Sequence, residues 1–336
     1  MRSRFNPMRR LALLLVMFEA LARADTPPSP LVVVRTDALP GVQHRIDHFA
    51  IDAAGRRLFV SALGNHTLEV LDAAAGRRIT SLAGLNEPQG VAYVPSLHRI
   101  VVATRAGGTV TAFDGVSYRA VGTLGNLHDA DNLRLDAATG LLYLGHGDGA
   151  LAVIDPATMT IVADIPLGGH PESFQLEAGS ARIFVNLPPA HEVVVVDRAR
   201  RAVVGHVALA GFADNYPMSL DDRGHRMFVG ARSPARLLVF DTTTLQRVAA
   251  VTCVGDTDDL YYDARRDRVY VIGGQGYVDV FDASPAGHYA RLAHIATRAG
   301  ARTGFWSSDL DRLFVASPQG GGQPATIEVL APASVP

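Results

Sequence analysis

The sequence predicts an all-β fold, a seven-bladed β-propeller of four-stranded antiparallel blades whose ring is closed by an N-terminal strand pairing with the last blade. Three observations predict it. A three-residue apolar core recurs seven times with middle positions 41 to 44 residues apart, each copy carries the same order of strands, and a lone strand before the first copy matches a strand missing after the last. That spacing belongs to four-stranded propeller blades and exceeds the period of shorter solenoid repeats.

The 336-residue chain opens with Arg2, Arg4, Arg9 and Arg10, an apolar run over 11–18, and Ala22-Arg23-Ala24 before Asp25. This is the layout of a secretory signal peptide. Residues 1–24 are therefore expected to be removed, leaving 25–336 as a single domain in an exported, periplasmic protein. Arg9-Arg10 reads as a basic leader rather than a twin-arginine signal. No later segment reaches the roughly 18 uninterrupted apolar residues of a membrane span, so no membrane span is expected.

Leu31-Val32-Val33-Val34-Arg35 follows as the unpartnered strand. The repeat then begins. Its apolar trios are Leu58-Phe59-Val60, Ile100-Val101-Val102, Leu142-Tyr143-Leu144, Ile183-Phe184-Val185, Met227-Phe228-Val229, Val269-Tyr270-Val271 and Leu313-Phe314-Val315. Before each trio lies a shorter strand, such as Phe49-Ala50-Ile51-Asp52, joined to it by a tight polar turn. A third strand runs into Asp72, Asp114, Asp155, Asp197, Asp241 or Asp282, because Asp bonds its own backbone and starts a turn. The seventh copy has Ala331 there. Fourth strands follow over Arg78 to Leu82, Thr160 to Ile165 and Arg247 to Val251, rich in β-branched residues. The last copy ends near Leu330 without one, and Leu31 to Arg35 supplies it; closure of this kind removes exposed sheet edges. Gly320-Gly321-Gly322 reads as a hairpin tip.

A net charge of −2 with no basic block gives no indication of a nucleic-acid partner. The single cysteine, Cys253, excludes an internal disulfide and sits in an apolar pattern, where an inert thiol is expected. A monomer is the expected state.

Cores such as Arg57-Leu58-Phe59-Val60 and Asp267-Arg268-Val269-Tyr270-Val271, followed by a third strand ending Val-Phe-Asp, resemble the YVTN-type propellers typified by the bacterial periplasmic YncE proteins. The resemblance covers nearly all of the mature chain and implies an exported propeller. Its motif specifies strands rather than chemistry. One tryptophan, Trp306, and no recurring Trp-Asp pair argue against a WD40 protein.

Function must then come from the ring's channel mouth. Counting back five and four positions from the end of each first strand gives Asp47-His48, Gln89-Gly90, Asp131-Asn132, Glu172-Ser173, Tyr216-Pro217, Asp258-Asp259 and Arg302-Thr303. Just upstream lie His44, Glu87, His128, Asp129, His170, Asp214 and Asp256, and the loops between second and third strands add His66, His146, Asp148 and His191. By this register seven of the twelve histidines share one face. Converging carboxylates repel one another and call for a cation, a proton or a basic ligand; Arg302 supplies part of that charge. The expected ligand-binding set is Asp47, His48, Gln89, Asp131, Asn132, Glu172, Tyr216, Asp258, Asp259 and Arg302, taking a small molecule or a protein partner.

A second reading stands beside it. Asp131, Asn132, Glu172, Asp258 and Asp259 resemble the oxygen ligands with which paraoxonase-like and gluconolactonase-like propellers hold calcium, an ion that takes about six to eight oxygens. The resemblance implies a metal that polarises an ester or lactone carbonyl, with His48 or His128 moving the proton. Those families are six-bladed, and this chain counts seven. A third possibility is a transition metal on His44, His48, His128 and His170, for which imidazole is a suitable donor.

Overall fold

The computed structural model describes residues 29–147, 149–285 and 288–333. The expected export segment 1–24, Asp25 and Asp148 lie outside them. Seven four-stranded antiparallel sheets form the blades of a propeller. Blade 1 spans 49–83, blade 2 88–124, blade 3 133–166, blade 4 174–208, blade 5 213–252 and blade 6 257–296. Blade 7 draws on both ends of the chain: from rim to channel its strands are Leu31–Ala38, Thr326–Pro332, Arg312–Ser317 and Gly304–Ser307. Val32 pairs with Ala331 and Val33 with Leu330, so the leading strand is the outermost strand of the last blade, as expected.

The apolar trios explain why the ring holds. Side chains alternate across a strand, so the middle residue of each trio faces one neighbouring blade and its two flanking residues face the other. Phe59 packs with Ile100 and Val102 of blade 2, while Leu58 and Val60 pack with Phe314 of blade 7. The pattern repeats round the ring: Val101 joins Leu142 and Leu144, Tyr143 joins Ile183 and Val185, and Phe184 joins Met227 and Val229. Phe228 then joins Val269 and Val271, and Tyr270 joins Leu313 and Val315. Each inter-blade seam is thus one apolar cluster, and the seam between blades 7 and 1 is built like the other six. Full burial of an aromatic or branched side chain stabilises by about 1.5–3 kcal/mol.

The aspartates that end the third strands act as read from the sequence. Asp72 Oδ1 accepts from the amides of Ala74 and Ala75, each at 2.9 Å, and Asp241 Oδ1 from those of Thr243 and Thr244 at 2.9 and 2.7 Å. Helix is confined, among the described residues, to three one-turn 3-10 segments, Leu63–Asn65, Pro95–Leu97 and Pro188–Ala190. No described helix is long and apolar enough to cross a membrane. Gly320 bridges to Gln323 in the last hairpin.

Candidate functional site

The paired residues identified at the channel mouth occupy a repeated irregularity in the sheets. In blade 1 the Asp47 amide donates to Ser61 O at 2.8 Å and the Ser61 amide to His48 O at 3.0 Å, so two residues of the inner strand face one of its partner. Asp131 and Asn132 stand in the same relation to Gly145, and Glu172 and Ser173 to Asn186. In blades 2, 5 and 6 the register slips by one residue at the equivalent place, across Gln89-Gly90, Tyr216-Pro217 and Asp258. Such bulges bend a strand and re-aim its side chains. Here they turn side chains of the inner strands toward the axis.

The result is a cavity of about 240 Å³ to which every blade contributes. It is lined by Gln89, Asp131, Glu172, Tyr216, Asp258 and Arg302, all at the fifth position back from a first-strand end, and by Arg45, Arg105, Asp129, His170 and Arg232. A small adjoining recess reaches Asp47, His48 and Asn132. Four arginines thus face four carboxylates in the main cavity, and the mouth neutralises itself more fully than Arg302 alone would allow. Arg45 lies 2.9 Å from Asp47 Oδ2, and Arg105 Nε donates to Asp129 Oδ1 at 3.1 Å. Asp258 takes Arg232 at 2.6 Å and Arg302 at 3.1 Å. The Arg232 guanidinium also stacks 3.9 Å from the Tyr216 ring centroid, a cation–π contact that fixes its plane.

Below the arginines, His48 Nε2 donates to Asp131 Oδ1 at 3.2 Å and lies 3.6 Å from Asp47 Oδ1. Against the penalty of burial, Asp47 and the bond to Asp131 raise the His48 pKa to about 10, which keeps the ring protonated. Asp131 in turn is held below the usual carboxylate range by that bond despite its own burial. Glu172 is pushed well above the ordinary value by burial and by the nearby charges of Asp131 and Asp258. Asp259 points away from the cavity: its Oδ2 accepts from the Gly304 amide at 2.9 Å, and burial lifts its pKa to about 7.

Of the five-residue calcium set, Asp131, Asn132, Glu172 and Asp258 line the adjoining recess and Asp259 does not, but most of their oxygens are already engaged. Asp258 is engaged by two arginines, Asn132 Oδ1 accepts from Arg134 at 3.1 Å, and Asp259 is tied to the backbone of blade 7. Nor do the four histidines share one group of potential ligand atoms among the described residues: His170 alone belongs to such a group, and His44 and His128 are exposed. Of the other histidines on this face, His66 and His191 end 3-10 turns in the left-handed conformation, and His146 is buried against Asp164 at 3.0 Å. Among the described residues, Asp131, His170 and Glu172 bring three potential metal-ligand atoms within 4.8 Å of one another.

No protein-family model and no curated protein matches this chain. Among solved structures, hydrazine synthase of Kuenenia stuttgartiensis superposes with a TM-score of 0.76 at 14% identity, over 86% of this chain and 98% of that one. At that identity the likeness concerns the propeller fold.

Proposed function

We propose that the chain is an exported, YncE-like propeller that binds a small, highly polar molecule carrying an anionic group at the channel mouth, without transforming it. The observation that carries this reading is the order of charge with depth. Arg45 and Arg105, 40% and 52% exposed, stand at the outer edge with one carboxylate, Asp129 at 40%, which Arg105 already bonds; Asp131, Asp258 and Glu172, at 6%, 12% and 21%, lie deeper, where Arg232 and Arg302 engage Asp258. An anionic group entering the mouth meets guanidinium donors, which favour carboxylate and phosphate, and donor groups on the same molecule extend toward the carboxylates. The volume, about 240 Å³, falls below the roughly 300–1,000 Å³ of pockets for drug-sized ligands, which favours a small molecule over a protein segment.

The binding reading is preferred to hydrolysis on geometry. The nitrogen of His48 that faces the cavity floor is taken up between Asp47 and Asp131, and His128 is exposed on the rim. The His48 imidazolium, held in that way, has no lone pair with which to take a proton as a general base.

Thermal unfolding across a panel of small carboxylates, amino acids and phosphate compounds tests the reading. A ligand at a hundredfold its Kd stabilises by about 2.7 kcal/mol. At least one member of the panel is expected to raise the melting temperature of the wild type and not of Arg45→Ala or Arg105→Ala. A panel without effect, or one that stabilises the variants equally, overturns it.

A further inference from the structure

We propose that Asp131, His170 and Glu172 bind a divalent transition-metal ion of the zinc type in the wall of the cavity, with its open side toward the bound molecule. Asp131 comes from blade 3, and His170 and Glu172 come from the lead-in to blade 4, where the bulge at Glu172-Ser173 holds them on the channel side. Nε2 of His170 lies 3.7 Å from Oε1 of Glu172, and one ligand atom from each of the three residues falls within 4.8 Å of the other two. Ligands of one tetrahedral zinc ion stand roughly 3.4 Å apart, a spacing that small rotations of the partly exposed His170 and Glu172 side chains about their own torsions reach.

Two further features mark this place within the mouth. Asp129 and Asp258 have arginine partners and Asp131 has His48, but Glu172 has no arginine within 4.0 Å among the described residues; within that distance stands only the His170 ring. On the adjoining wall, from blade 2, Gln89 is only 5% exposed and its Oε1 has no hydrogen-bond partner. A carboxylate without a counter-charge and a buried amide oxygen without a donor are groups that a cation satisfies.

The donor set selects the ion. One imidazole with two carboxylates suits zinc, cobalt or nickel, whereas calcium prefers an all-oxygen shell of about six to eight ligands. The remaining oxygens that a calcium ion would need here are already bonded to Arg232, Arg302, Arg134 and the Gly304 amide. Three protein ligands leave at least one position open, and Arg45 and Arg105 line the same cavity, so an anionic group can meet the metal and a guanidinium together. The ion's part in holding such a molecule rests on the reading of the mouth as a ligand site; its binding does not.

The test is titration of the full-length mature protein, stripped with chelator and dialysed, with zinc alone by calorimetry and with cobalt alone by visible absorption. One equivalent is expected to bind, with cobalt bands characteristic of mixed nitrogen and oxygen ligation. Glu172→Gln and His170→Ala are expected to weaken zinc by at least roughly 100-fold, while His128→Ala, which removes an exposed histidine of the same face, leaves it unchanged. Melting curves of each variant without metal confirm that it is folded. Absence of zinc and cobalt binding, equal binding by Glu172→Gln, or tighter binding of calcium than of zinc overturns the metal site. An organic ligand that still stabilises the stripped protein through Arg45 would then leave the mouth as a binding site without a metal; loss of that effect alone would leave the metal without the ligand.

Discussion

His48 and Asp131 stand 83 residues apart in the chain and belong to blades 1 and 3, yet His48 Nε2 lies 3.2 Å from Asp131 Oδ1. The contact passes over blade 2 and exists only because the ring brings non-adjacent blades to a common axis. Replacing His48 by Ala leaves Asp131 in a buried setting without its hydrogen-bond donor and both Asp47 and Asp131 without the imidazolium charge beside them. Loss of one partner of a buried ion pair costs about 3–5 kcal/mol. A urea midpoint lowered accordingly is expected, with part of the loss recovered in His48→Ala/Asp131→Asn; strictly additive effects of the two substitutions would contradict a direct pair.

Closure of the ring makes a second prediction. Leu31 is 1% exposed and packs among Tyr270, Trp306, Leu313 and Leu330, while Val33 on the same strand is 45% exposed. Leu31→Ala should cost about 2–5 kcal/mol and Val33→Ala no more than about 0.5 kcal/mol, both read from denaturant midpoints. Equal effects would mean that the leading strand is not seated against blades 6 and 7.

Stability should depend on pH through Asp259. Its carboxyl is lifted from 3.8 to about 7 in the folded protein, chiefly by burial. The native state therefore keeps a proton that the unfolded chain releases. This contribution is fully present below the unfolded pKa and is lost as pH rises through 7. Asp259→Asn keeps an oxygen for the Gly304 amide and no longer titrates. Between pH 5 and pH 8 the wild type is expected to lose on the order of 2 kcal/mol more than the variant, and parallel pH profiles would contradict it.

Cys253 is 5% exposed, and burial pushes its thiol up to about 12. A thiol-specific reagent should label the native protein only at the rate of its opening and the denatured protein at once, since the thiolate is the reactive form. Rapid labelling under native conditions would count against the packing between blades 5 and 6.

Much of the fold was readable because it is periodic. Alternation in trios such as Leu58-Phe59-Val60 states which residues face which neighbour, and Val32 and Val33 could pair with nothing but the strand ending near Leu330. The site was readable only in part. Counting back five positions found the residues of the inner ring, but Asn132 and Asp259, one position further on, turn toward Arg134 and Gly304. A strand pattern does not reveal which way a bulge sends its second side chain. Arg45, Arg105 and Arg232 were missed. A signal for two of them was present: four residues past the centre of each trio stand Leu63, Arg105, Gly147, Pro188, Arg232, Gly274 and Pro318, so long cations occur at only two of seven equivalent places. Arg45 occupies the repeat position held elsewhere by Glu87, Asp129, His170, Asp214, Asp256 and Gly300, and nothing in its neighbours announces a cation that reaches Asp47.

The most direct test of the mouth as a ligand site is a crystal structure grown with whichever small anion most raises the melting temperature. The expected result is density for that molecule in the cavity between Arg45, Arg105, Tyr216 and Asp258, with its anionic group on the guanidiniums. Density for the anion at another place on the propeller, with only water among those four residues, would contradict it.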